Sequence, residues 1–101
     1  MGNKYKIEYL PVAKQDMNDI IDYVAKDNPD GAIQLLNKID EEISQLASLP
    51  FIGKVPYDDR LRRMGYRVLL IGIYLVFYVI KEPIIEIRRI IHGKRRYEFL
   101  I

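Results

Sequence analysis

Hydrophobic positions along this chain change period twice, and each period predicts a different kind of element. Lys4 to Tyr9 alternates strictly, which places Tyr5, Ile7 and Tyr9 on one side of a strand. Pro11 suits the first turn of a helix, where its missing N–H costs nothing, and Met17, Ile20, Ile21 and Val24 follow at helical spacing. Asn28-Pro29-Asp30-Gly31 interrupts that helix and opens another, with Asn28 or Asp30 as its N-cap. In the second helix Ala32, Leu36, Ile39, Ile43 and Leu46 form one apolar stripe, which Pro50 ends. The pair predicts an antiparallel hairpin with Asp16, Asp19, Asp22 and Asp27 on its solvated side. Residues 51–65 read as a polar connection. Three β-branched and aromatic runs follow, 66–71, 73–80 and 84–91, separated by Gly72 and by Lys81-Glu82-Pro83. Turns this short favour antiparallel neighbours. The expected fold is therefore α+β, in the order β-α-α-β-β-β, with an N-terminal strand and a helical hairpin packed on an antiparallel sheet. One sheet face should meet the hairpin, and the other should stay partly open until a partner covers it.

Length and composition narrow the class. The 101 residues make room for one domain spanning the whole chain, and half of them are apolar. Without cysteine there are no disulfides, thiolate metal sites or Cys nucleophiles, which fits a reducing cytoplasm. The start of the chain lacks the apolar run of a signal peptide, and the most apolar window, residues 68–80, is too short to span a bilayer. A cytoplasmic protein with no membrane partner is expected.

Charge adds a second division. Residues 1–53 hold five lysines against nine carboxylates, whereas residues 54–101 hold eleven basic side chains against five acidic ones. Every arginine lies at or beyond Arg60. Arginine binds phosphate through a planar fork that keeps its charge at any working pH, so this half reads either as a surface for a polyanion or as a solvated charged face.

Within that half, period two places Glu86, Arg88, Ile90 and His92 on one face of the last strand, and Ile85, Ile87, Arg89 and Ile91 on the other. Arg67 on a neighbouring strand could complete a cluster with Arg88 and His92. Metal-free RNA cleavage needs such groups: a base for the 2′-hydroxyl, cations for the developing charge and an acid for the leaving oxygen. The competing reading makes His92 a capping or packing residue at a strand end. His92-Gly93-Lys94-Arg95-Arg96-Tyr97 is denser in donors and reads as a phosphate or protein contact, together with Arg62, Arg63, Arg88 and Arg89. No Gly-rich phosphate loop, zinc spacing or Ser/His/Asp pattern is present, so no metal or cofactor is expected.

Residues 9–23, with the pattern P-x-A-x-x-D-apolar-x-x-I-x-x-Y, resemble the opening of RelE/ParE-type toxins. Tyr74-Leu75-Val76-Phe77-Tyr78 and Ile90-Ile91-His92-Gly93-Lys94-Arg95 resemble that family's later strand triplet and basic H-G-x-R segment, and the similarity runs through nearly the whole chain in order. The resemblance implies the toxin half of a type II toxin–antitoxin, or plasmid stabilisation, module, neutralised by a cognate antitoxin protein. It leaves two targets open: ParE-type members inhibit DNA gyrase, and RelE-type members are mRNA interferases that cut mRNA on the ribosome. Under the second, Arg67 and His92 would be the catalytic residues. The family's nucleases usually carry Arg where this chain has Tyr74, and often a basic residue where it has Leu69; Ile101 and Gly93 replace their tyrosines. The expectation is thus a gyrase-directed toxin with no catalysis of its own, the mRNA endonuclease being the alternative. A non-toxic basic nucleic-acid-binding module comes third.

Overall fold

The computed structural model describes residues 4–93. Strand β1 (Lys6–Tyr9) leads into helix α1 (Pro11–Ala25) and helix α2 (Pro29–Ser44), which a single 3-10 turn extends over Gln45–Ala47. A five-residue helix α3 (Asp59–Arg63) precedes strands β2 (Tyr66–Ile71), β3 (Tyr74–Lys81) and β4 (Ile84–His92). The expected element order is present, with α3 inside what read as an irregular connection. Pro11 stands at the start of α1, and the Asn28 side chain caps α2 by accepting the Gly31 N–H at 2.9 Å. At the β2–β3 turn Gly72 adopts φ 59°, a left-handed conformation that other residues rarely enter.

The sheet order is β1-β4-β3-β2, with the last three strands antiparallel and β1 parallel to β4. The helical hairpin covers one face, burying Ala13, Met17, Ile39, Ile43 and Leu46 against Ile71, Val76, Tyr78, Ile85, Ile87 and Ile90. Leu36, expected in that stripe, sits at the rim and is exposed. On the opposite face a smaller cluster of Leu61, Tyr66, Phe77, Val79 and Ile91 gathers under α3.

One irregularity corrects the expected sidedness of β4. Phe77 pairs with Arg89 while Tyr78 pairs with Ile87, so Arg88 is an extra residue in the ladder. Such a bulge shifts the alternation beyond it. Ile90 accordingly joins Ile85 and Ile87 beneath the helices, and Ile91 goes to the other face.

Candidate functional site

Arg67 is directly opposite Tyr78 on the helix-covered face. A tyrosine buried in an apolar strand must find partners for its hydroxyl, and the loop after the 3-10 turn supplies them. The Tyr78 hydroxyl donates to the Pro50 carbonyl at 2.8 Å and accepts the Gly53 N–H at 3.0 Å. Burial holds this phenol above its ordinary pKa, although the Gly53 bond and Arg67 pull the other way. Arg67 donates from Nε and Nη2 to the Gly53 carbonyl (3.2 and 2.7 Å), from Nη2 also to the Phe51 carbonyl (3.0 Å), and stacks over the Phe51 ring. Gly53 has no room for a side chain, since a Cβ there would lie 2.5 Å from the Tyr78 hydroxyl. The two strand residues therefore pin residues 50–53, and this pin sets Lys54 against the outer edge of β2. There Lys54 and Val68 exchange two backbone hydrogen bonds of 2.8 Å.

The expected Arg67–Arg88–His92 cluster does not assemble. Arg67 lies level with Ile87, and His92 level with Tyr74 and Ile71. From Arg67 to Ile71 the offset along the strand is about 13 Å at the usual rise per residue. His92 makes an edge-on contact with Tyr74, with ring centroids 5.8 Å apart. Arg88 turns to the other face, where it lies over the Tyr66 ring and donates to Glu86 at 2.8 Å. Partial burial raises the Glu86 carboxyl pKa, but Arg88 and then Lys81 outweigh it and hold the group below its ordinary value.

Asp16 was expected on the solvated side of α1; instead it is largely enclosed and ties α1 to β4. Its carboxylate accepts from Arg89 Nε and Nη2 (2.8 and 2.9 Å) and from the Ile90 N–H (2.9 Å). The physical reason is the short β1. That strand pairs with β4 only as far as Ile87, so the next outward backbone donor, Ile90, needs a substitute acceptor. Hydrogen bonding to Asp16 raises the Arg89 guanidinium pKa further.

The remaining basic candidates lie outward. Arg62 pairs with Asp59 one turn away on α3, and Arg63 is exposed with no ion-pair partner among the described residues. Lys94, Arg95, Arg96 and Tyr97 fall outside the described residues. Beside α3, exposed Ile52, Val55, Tyr57 and Leu70 line an apolar groove along the β2 edge. Sequence reasoning missed this groove because the 51–65 connection looked polar, yet Phe51, Ile52, Val55 and Tyr57 are its apolar signal. Among the described residues no three metal-ligating side chains converge, and no helix is long and apolar enough to cross a membrane.

Comparison with known proteins places this architecture. No curated protein matches the chain by sequence. Among solved structures, the chain is similar to one in the chromosomal ParDE system of Pseudomonas aeruginosa, at 18% identity and TM-score 0.77, covering 92% of this chain and 100% of that one. A chain of the Mycobacterium tuberculosis RelBE2 toxin–antitoxin complex matches at 20% identity and TM-score 0.64, covering 88% and 98%. One from the Staphylococcus aureus YoeB–YefM complex matches at 20% and 0.53, covering 88% and 97%. These likenesses establish the fold. The family model for the ParE toxin of the type II toxin–antitoxin system parDE matches residues 7–97, and the chain belongs to that family.

Proposed function

We propose that this toxin arrests growth by binding DNA gyrase in the cytoplasm, with no catalysis of its own, and that a cognate antitoxin neutralises it. The observation that carries this reading is the engagement of Arg67. Its donors serve the Phe51 and Gly53 carbonyls of its own chain, and His92 lies four residues further along the sheet. Cleavage of RNA without a metal requires base, cation and acid around one phosphate, whereas inhibition by contact requires only a complementary surface. Arg62, Arg63, Lys94, Arg95, Arg96 and Tyr97 are the contact residues in this reading; Arg88 and Arg89 hold β4 in shape.

Induction in cells tests it, with transcript ends mapped on ribosomes and DNA supercoiling followed in parallel. Growth arrest with relaxed DNA and intact transcripts is expected, and truncation after Gly93 should relieve the arrest. Ribosome-dependent transcript breaks that vanish in Arg67→Ala and His92→Ala would replace this reading with the endonuclease.

A further inference from the structure

Tyr57 is 97% exposed, more than any other large hydrophobic side chain among the described residues. Its backbone is nevertheless held on both sides. Before it, Lys54 exchanges two backbone hydrogen bonds with Val68, and Pro56 is buried. After it, the Asp58 carboxylate caps α3 by accepting the Leu61 N–H at 3.1 Å. Leu61 is fully buried, and at about 3.6 residues per turn that anchoring turns Asp59 and Arg63 away from the sheet. The two carboxylates of this corner are already engaged, Asp58 as the cap and Asp59 with Arg62. What α3 offers outward is therefore the cation of Arg63, which has no ion-pair partner among the described residues. A tyrosine ring on a fixed mount loses little conformational freedom when it is bound. Tyrosine and arginine are also the side chains that most often dominate binding energy at interfaces.

We propose that Tyr57 and Arg63 form the toxin's anchor on gyrase, the ring entering an apolar slot in that protein and Arg63 meeting a carboxylate at its rim. The inference rests on the gyrase reading and names the surface that reading needs. Two observations select a protein partner over DNA. The Asp59 side chain keeps 71% exposure on the same outward side as Arg63, where it would repel a phosphate backbone but could meet donors at a protein rim. Val55, half exposed, lines the same hollow as Tyr57, and apolar surface around a ring is matched by the core of a protein interface rather than by phosphate and sugar.

The test uses the whole chain with purified gyrase, reading both affinity and inhibition of supercoiling. The parent is compared with Tyr57→Ala, Tyr57→Phe, Arg63→Glu and Tyr23→Ala, the last removing a ring 76% exposed on α1. Tyr57→Ala should weaken both readings about 30-fold or more, as loss of a hot-spot anchor does. Arg63→Glu should cost on the order of 10-fold, while Tyr57→Phe and Tyr23→Ala stay near the parent. Melts confirm that each variant is folded, as exposed substitutions should be. A folded Tyr57→Ala chain that inhibits as strongly as the parent would overturn the inference, and so would an equal loss in Tyr23→Ala. Parent binding to bare duplex DNA with the same dependence on Tyr57 would overturn the protein partner in favour of DNA. The parent chain keeps the two readings apart. A parent that neither binds nor inhibits gyrase overturns the gyrase reading and this anchor with it, whereas an inhibitory parent matched by Tyr57→Ala overturns the anchor alone.

Discussion

The two faces of the sheet use the same residue types but are closed by different means. Beneath α1 and α2, Ile39, Ile43 and Leu46 meet Val76, Tyr78, Ile85 and Ile87 at essentially zero exposure. On the other face one short helix contributes Leu61, and the apolar surface continues outward to Leu70, Val55 and Tyr57, which stay exposed. Charge follows the same division. Arg67 is held by loop carbonyls and Arg89 by Asp16, whereas Arg62 and Arg63 stand at the surface. The lesson is that an arginine's type does not reveal its task. Arg67, read as a catalytic candidate, and Arg89, read as a contact candidate, both join elements of this chain to one another.

The largest test of the contrast is in the two cores. Ile39→Ala should destabilise the chain by about 2–5 kcal/mol, as buried large-to-small changes do. Leu70→Ala should stay within about 0.5 kcal/mol, as an exposed substitution. Denaturant melts check both, and equal effects would erase the distinction between the faces.

Asp16→Ala tests the tie between α1 and β4. It strands the Arg89 guanidinium and the Ile90 N–H, and removing one partner of an enclosed pair costs several kcal/mol. Because both side chains keep some exposure, 15% and 19%, solvent reduces the cost, and about 2–4 kcal/mol is expected in the same melts. A smaller loss follows from Tyr78→Phe, which leaves the Pro50 carbonyl and Gly53 N–H unpaired at about 1–3 kcal/mol. Faster amide exchange at Gly53 and Lys54 would show the loop released while the helices stay protected.

The smallest effect concerns pH. Glu86 has a folded-state pKa below its ordinary 4.5, so its pairing with Arg88 stabilises the chain fully above that value. The contribution disappears as pH falls through the lower folded value. Glu86→Gln should therefore flatten the acid limb of the stability curve and leave its neutral plateau slightly lower.

Much of this was legible in the sequence. The alternation of Tyr5, Ile7 and Tyr9 and the stripe through Ile39 and Ile43 depend on local period alone, and both elements formed with the expected face inward. What escaped depended on pairing across the chain. The bulge at Arg88 arises from register between β3 and β4, so period two placed Ile90 and Ile91 on the wrong faces. Asp16 looked solvated because its partners lie more than 70 residues away. Arg67 looked available because no local pattern reveals that Gly53 and Phe51 fold back upon it.

Action by contact, as proposed for this toxin, makes His92 dispensable. The direct measurement is inhibition of purified gyrase supercoiling by the parent and by His92→Ala, alongside a ribosome-programmed mRNA cleavage assay. Inhibition by both chains at concentrations within a few-fold is expected, with mRNA left whole. Cleavage by the parent that falls on the order of 100- to 10,000-fold in His92→Ala, as loss of an acid–base residue typically does, with gyrase unaffected by either, would contradict it.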